Sequence, residues 1–282
     1  MQIVKSIDSL RQILKPMARE GKIIGLVPTM GALHNGHGAL IKASVADCDV
    51  TVVSVFLNPI QFGKNEDLDK YPARLEADAK LAESLGADFV FAPSVAEMYP
   101  DGDPETMVRN ESLEGMYCGA YRPGHFRGVL TVVSKLFHIS GANKAYFGEK
   151  DYQQVFLIER MVRDLNIDIE IHRVPIVREE TGLALSSRNE YLSAEEKANG
   201  LGIYEGLKKA KAAFAGGERS VAKIRDIVLK SIIAKRGVVQ FVEVVNRENL
   251  QKCTGLITEE KLVILVAAFF GSTRLIDNIE LN

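Results

Sequence analysis

Gly25-Leu26-Val27-Pro28-Thr29-Met30-Gly31-Ala32-Leu33-His34-Asn35-Gly36-His37 is the stretch on which the fold turns. Residues 23–27 form an apolar run that reads as a buried strand. A loop marked by Pro28 and Gly31 follows, and a helix carrying Ala39, Leu40, Ala43 and Ala46 starts near His37. A strand, a glycine-marked loop and a helix N-terminus make an anion site, because the first helical turn has N–H groups without intrahelical partners and a partial positive charge. His34 and His37, three residues apart, share one face of that turn and can donate to phosphate oxygens. Gly36 between them lets a flat ring approach the backbone. Taken alone, the stretch also fits an ordinary turn with two surface histidines.

The pattern repeats outward from there. Residues 50–57 are a near-continuous β-branched run, as in a parallel strand covered on both faces. Asn58-Pro59 closes it, and residues 60–72 are polar and irregular, with Gln61, Phe62, Asn65, Asp67 and Tyr71. Residues 74–85 read as a helix burying Leu75, Ala79, Leu81, Ala82 and Leu85, and residues 88–91 as a short strand. Upstream, Ser6 caps a helix with Ile7, Leu10, Ile13 and Leu14 on its apolar face, which Pro16 is expected to kink or end. Alternating strands and helices predict a doubly wound, Rossmann-like α/β domain with a parallel sheet. Ligands in such sheets lie beyond the carboxyl ends of the strands, so the His34 loop and the loop at 58–61 should share one rim.

Residues 93–128 read as a long irregular loop, and such loops are usually functional or mobile. Within it residues 121–127 bring Arg122, His125 and Arg127 together, a cluster that fits a solvated turn as well as a functional one. A helix is expected over 129–139, a short strand over 145–147, and a helix over 152–165, preceded by the turn Gly148-Glu149-Lys150-Asp151. Residues 167–171 and 174–177 look like strand segments, and 183–189 like a loop of small hydroxyl residues. Ser193 and Glu196 form a capping box, and helices are expected over 193–215 and 220–235, with strands over 239–245 and 262–269. The expected organisation is therefore a nucleotide- and substrate-binding domain over 1–176 and a smaller α+β C-terminal lid domain over 177–282, hinged within 176–190.

Composition narrows the class. With 46% hydrophobic and 26% charged residues, the chain has the mix of a globular protein. A net charge of −2 argues against broad electrostatic attraction to nucleic acid or an acidic membrane. The three cysteines, Cys48, Cys118 and Cys253, are widely spaced, which fits a reducing compartment and no structural zinc. The N-terminal residues lack a signal-peptide core, and the longest apolar run, 262–270, is too short to span a bilayer. A cytoplasmic protein is expected.

Beyond the two histidines, Lys150 can bring a point charge to a phosphate, and Ser186, Ser187 and Arg188 add two hydroxyls and a guanidinium fork. Gln61 and Gln154 offer neutral amides, which can orient a hydroxy acid without damping the nucleophilicity of its carboxylate. Lys150, the serine loop and Gln154 each fit an ordinary surface position when taken singly. There is no Walker A sequence, and no GxGxxG follows the first strand.

Taken in order, these motifs resemble the HxGH nucleotidyltransferase superfamily and, more closely, the pantoate–β-alanine ligases. Residues 28–37 are similar to that family's PTMGxLHxGH, and Phe56-Leu57-Asn58-Pro59-Ile60-Gln61-Phe62 to its FVNPxQF. Arg122-Pro123-Gly124-His125-Phe126, Phe147-Gly148-Glu149-Lys150-Asp151, residues 183–189 and Arg274-Leu275-Ile276-Asp277-Asn278 match too. The resemblance implies ATP-dependent condensation of pantoate with β-alanine through a pantoyl-adenylate, with release of pyrophosphate and AMP. It implies ATP contacts at Met30, Gly31, Ala32, Leu33, His34, Asn35, Gly36 and His37, at Gly148, Glu149, Lys150 and Asp151, at Val177, and at Leu185, Ser186, Ser187 and Arg188. His37, His34 and Lys150 would be catalytic, stabilising charge on the transferring phosphates. Gln61 and Gln154 would hold pantoate, with Gln61 facing the incoming β-alanine. Mg²⁺ would arrive with ATP on phosphate oxygens and water rather than in a protein cage, and a homodimer is implied. Leu185 stands where members often have Lys or Met, so Lys150 would supply the missing loop charge. Gly38 replaces a bulkier residue, at about 0.5–1 kcal/mol of helix stability. Two other classes stay open on the residues alone: a nucleotidyltransferase acting on a phosphate acceptor, and a nucleotide sensor without catalysis.

Overall fold

The computed structural model describes every residue except Lys64, Asn65, Asp67, Ala73, Glu259, Glu260 and Asn282, and the side chain of Lys70. Asn65 and Asp67, which the sequence reading placed in an irregular segment, thus lie outside the described residues. Two compact units form: Met1–Glu149 with Gln154–Pro175, and Lys150–Gln153 with Ile176–Asn282.

The first unit holds strands β1 (Gln2–Val4), β2 (Ile24–Thr29), β3 (Val50–Val55), β4 (Phe89–Phe91), β5 (Lys144–Gly148) and β6 (Glu170–Val174). They form one sheet in the order β1-β4-β3-β2-β5-β6, parallel at every pairing. Around them run α1 (Ile7–Arg19), α2 (Asn35–Asp47), α3 (Leu75–Ser84), α4 (Val95–Met98), α5 (Cys118–Tyr121), α6 (His125–Ser140) and α7 (Tyr152–Asp164), whose first two residues count with the second unit. From β2 the chain moves outward through β3 and β4, then crosses back to β5 on the other side of β2. The strand order therefore reverses at the β2/β5 pair, where an open α/β sheet leaves a crevice at the carboxyl ends. Val27, Val53, Val90, Tyr146, Leu40 and Ile41 pack together beside β2, and helices on the sheet account for the apolar character of its central strands. A Cβ at Gly25 would collide with Ser44 Oγ and Cys48 Sγ, so the bare backbone there lets α2 lie close on β2 and carry its N-terminus to the rim.

Several local expectations need correction. Pro16 neither ends nor breaks α1, which runs on to Arg19. Pro16 and Gln12 are exposed, so the carbonyl deprived of its N–H partner faces water. β1 was not foreseen, because three residues are too few to show a period. The second half of the expected 93–128 loop already contains α5 and the start of α6 at His125. β6 joins the end of the strand segment expected over 167–171 to the start of the one expected over 174–177, and Val177 lies beyond its end.

The second unit holds α8 (Ala194–Ala215), α9 (Val221–Ala234), β7 (Val238–Asn246), β8 (Leu262–Phe270) and β9 (Thr273–Leu281). The strands form an antiparallel sheet in the order β7-β8-β9. Leu207, Ile224, Val228, Ile232, Leu262, Ile264 and Val266 fill the core of this unit. Among the described residues no helix is long and apolar enough to cross a membrane.

One packing contact bears directly on the rim. α6 presses Gly128 against the short 3₁₀ turn Pro59–Gln61, and a Cβ there would stand 2.6 Å from both Gln61 Cα and Ile60 O. Alanine favours a helix over glycine by about 1 kcal/mol. Gly128→Ala should nevertheless lower the melting temperature, since backbone has to move; an unchanged or raised value would mean that α6 and the turn are not packed as described.

Candidate active site

At the end of β2 the backbone turns sharply, with Gly31 at φ +88° and Ala32 at φ +51°. Three acceptors hold this turn. Thr29 Oγ1 accepts from Gly31 N at 3.1 Å while donating to Ser54 O at 2.7 Å. Asp78 on α3 accepts from Ala32 N at 2.9 Å and Leu33 N at 2.7 Å, one carboxylate oxygen each. Burial pushes the Asp78 carboxyl up, against the pull of those N–H groups and of Arg74. Asp78 belongs to none of the sequence motifs. Its signal is an acid beside Ala79 and Ala82 on the apolar face of a helix, where a charge needs a reason.

His34 is the N-cap of α2. Its Nδ1 accepts from Gly36 N at 3.1 Å, and His37 Nδ1 receives His34 N at 3.3 Å, so the two imidazoles form a reciprocal cap. An Nδ1 that accepts cannot carry a proton, so in both rings the N–H sits on Nε2. The ring centroids lie 4.2 Å apart. Asn35 is exposed, while Met30 and Leu33 are half-buried beside the turn. Gly148, half-buried, ends β5.

Gln61 is buried in a polar cluster. Its Oε1 accepts from Asn58 Nδ2 at 2.9 Å, and its Nε2 lies 3.0 Å from Met30 Sδ. Asn58 also donates to Gly128 O at 3.2 Å and accepts from Tyr99 OH at 2.8 Å. Burial pushes the Tyr99 hydroxyl far up, so it stays a donor. His125 is buried rather than solvated: its Nδ1 donates to Gln61 O at 2.9 Å, and its Nε2 receives Arg122 at 2.9 Å. Arg122 in turn grips Glu66 with two hydrogen bonds, of 2.7 and 2.5 Å. Of the readings open for this cluster, Arg122 and His125 support Gln61, while Arg127 is exposed as a solvated turn would have it. Gln154 is half-buried on the first turn of α7.

The second unit carries the remaining candidates. Glu149 ends the first of the two segments of the first unit, and Lys150 and Asp151 continue the same 3₁₀ turn, with Lys150 Nζ 3.6 Å from Asp151 Oδ2. Val177 and Leu185 close a hairpin, Leu185 N donating to Val177 O at 3.0 Å. Ser186 caps the 3₁₀ helix Ser187–Tyr191, its Oγ accepting from Arg188 N at 3.3 Å, which leaves its own hydroxyl proton to donate. Ser187 is buried and Arg188 half-buried. Among the described residues no group of His, Cys, Asp and Glu stands ready to hold a metal ion.

The first unit by itself brings the imidazole donors of His34 and His37 to its sheet's switch point, near the neutral amide of Gln61. The family model described as pantoate–β-alanine ligase matches residues 2–280. The chain belongs to the pantoate–β-alanine ligase family. As a member it is an enzyme of the ligase class. It is 49% identical over 280 residues to a pantothenate synthetase from Acetivibrio thermocellus, with 99% of each chain covered. It is 48% identical to one from Alteromonas mediterranea, over the full length of both. A crystal structure of the Thermus thermophilus pantothenate synthetase superposes with a TM-score of 0.93 at 41% identity, covering 100% of this chain and 99% of that one. The pantoate–β-alanine ligase of Francisella tularensis, solved with β,γ-ATP and β-alanine, gives 0.82 at 35% identity, covering 99% and 97%.

A pH dependence follows from the Gln61 support. Burial alone would raise the Glu66 carboxyl, but the hydrogen bonds and charge of Arg122 outweigh it and hold it below the ordinary glutamate range. The folded state then binds fewer protons than the unfolded chain between the two values, so the pair's stabilisation is present above the ordinary glutamate pKa and lost as pH falls through the lowered one. Glu66→Gln should melt below wild type at neutral pH, and the gap should close on acidification. A gap that widens at low pH would contradict this assignment.

Proposed function

We propose that this ligase condenses pantoate with β-alanine in two steps driven by MgATP. The pantoate carboxylate attacks the α-phosphorus and pyrophosphate leaves, giving pantoyl-adenylate. The β-alanine amine then attacks the acyl carbon, and AMP leaves as the amide forms. The observation that carries this reading is the imidazole pair at the start of α2, in which each Nε2 carries the ring proton because each Nδ1 is an acceptor. Such donors, at a helix N-terminus, suit charge that builds on phosphate oxygens as the phosphoryl group transfers.

In this proposal Met30 to His37, Gly148, Glu149, Lys150, Asp151, Val177 and Leu185 to Arg188 are the ATP-binding residues, as the family's motifs imply. Lys150 brings a point charge, Ser186 a hydroxyl proton, and Arg188 a planar fork. Mg²⁺ is part of the substrate, bound by phosphate oxygens and water. Gln61 and Gln154 hold pantoate through neutral amides, which orient its carboxylate without neutralising it. Family resemblance supports a cytoplasmic homodimer.

The test is AMP release with ATP, Mg²⁺ and pantoate, with and without β-alanine. AMP should appear only with the amine, and His37→Ala should slow it by about 100-fold or more, as when one preorganised donor is removed. Gln61→Glu should raise the pantoate KM through like-charge repulsion. Pyrophosphate release indifferent to any amine would instead indicate a nucleotidyltransferase, and no ATP turnover a sensor.

A further inference from the structure

The C-terminal motif Arg274-Leu275-Ile276-Asp277-Asn278 has no place in the chemistry above, yet it sits in β9 with two of its polar side chains almost fully buried. Asp277 and Asn278 are each only 5% exposed. Asp277 takes both hydrogen bonds of the Arg178 fork, at 2.6 and 2.9 Å. Arg178 also donates to Gly182 O at 3.2 Å, and its guanidinium lies 3.8 Å from the centroid of the Tyr204 ring. Arg178 opens the hairpin that leads to residues 185–188, paired across it with Ala184, and Glu179 N donates to Leu183 O at 2.8 Å. Asn189, just beyond, donates to Ala184 O at 3.0 Å. Asn278 N donates to Asp277 Oδ1 at 2.8 Å, and its Nδ2 donates to Lys150 O at 3.2 Å.

We propose that Asp277 and Asn278 are positioning residues that tie Lys150 and the Ser186–Arg188 segment to one strand. Asp277 sets the hairpin through Arg178, and Asn278 sets Lys150 through its carbonyl. A forked guanidinium that is both paired and stacked fixes a plane, which a lysine at 178 would not. Adjacent residues of one strand thus control two segments that are separate in the chain, so their charged groups are presented in a fixed relation. The proposal rests on the reading that Lys150 and Arg188 bind ATP phosphates, and its own content is that the binding strength of these two residues is set from β9.

The experiment is a double-mutant cycle on ATP affinity, measured by calorimetry so that inactive variants still report. Asn278→Ala should weaken ATP binding by about tenfold, with the melting temperature recorded in parallel and pantoate affinity unchanged within about twofold. In a Lys150→Ala background the same change should cost less than about twofold, because residues acting as a unit are not additive. Asn278→Asp, which keeps the volume but removes the donor toward Lys150, should behave as Ala does. Equal losses in both backgrounds, or pantoate affinity falling in step, would overturn the proposal and leave Asn278 as a general structural residue. Wild-type ATP affinity in Lys150→Ala itself would instead overturn the reading of Lys150, and the proposal with it. Asp277→Asn leaves Arg178 buried without its full partner, so for Asp277 the cycle is run against Arg188→Ala on protein whose circular dichroism is native. Additive losses there would overturn the hairpin half of the proposal, and sub-additive losses support it.

Discussion

Two backbone N–H groups at the head of α2 find their acceptors in imidazole nitrogens, and much of the first unit is arranged around that fact. A serine or aspartate would cap the helix as well. A histidine cap does something more: by engaging Nδ1 it commits the ring to one tautomer and one orientation, with the remaining N–H facing away from the backbone. The cap works only if the preceding turn delivers His34 at the right place. That turn needs left-handed backbone at Gly31 and Ala32, and the second of these carries a side chain, so it persists because Asp78 and Thr29 hold the neighbouring N–H groups. The strand below contributes its own condition, since α2 reaches the rim only by lying tightly on Gly25.

The Gln61 cluster follows the same logic with the opposite tautomer. His125 donates from Nδ1 and accepts at Nε2, so it bridges a carbonyl and a guanidinium. Asn58, fixed at both ends of its amide by Tyr99 and Gly128, presents its NH₂ to Gln61 and so settles which way the Gln61 amide points. A neutral side chain held by neutral neighbours keeps its orientation without a cation in direct contact with it. The charged members, Arg122 and Glu66, stand one step further out and neutralise each other.

The parallel sheet, the rim position of the His34 and Gln61 loops, and the smaller α+β unit were legible because they rest on apolar periodicity and on glycine and proline punctuation, which are local. The family resemblance was legible from motifs in order. What escaped were groups whose role depends on partners distant in sequence. Asp78 binds a loop 45 residues upstream, and His125 a carbonyl 64 residues away. Arg122 and His125 looked like a solvated turn since charge and proline predict exposure, and only their pairing with Glu66 and Gln61 takes them inward. β1 was too short to show alternation, and β9 mixes polar and apolar residues because Asp277 and Asn278 face partners inside the unit. Pro16 misled in the other direction, its cost being small where the orphaned carbonyl meets water.

The short segment Lys150–Gln153 belongs with the second unit, although the residues on both sides of it belong with the first. The backbone therefore passes from one unit to the other three times. Neither unit is a contiguous stretch that could be moved into another protein by cutting at one peptide bond. A gene fragment ending near 176 would carry Lys150 without β9, and one beginning there would carry Asn278 without the Lys150 carbonyl to which it donates. Recombination between relatives would be expected to inherit these two pieces together or fail, which makes the four-residue detour a linkage between distant halves of the gene.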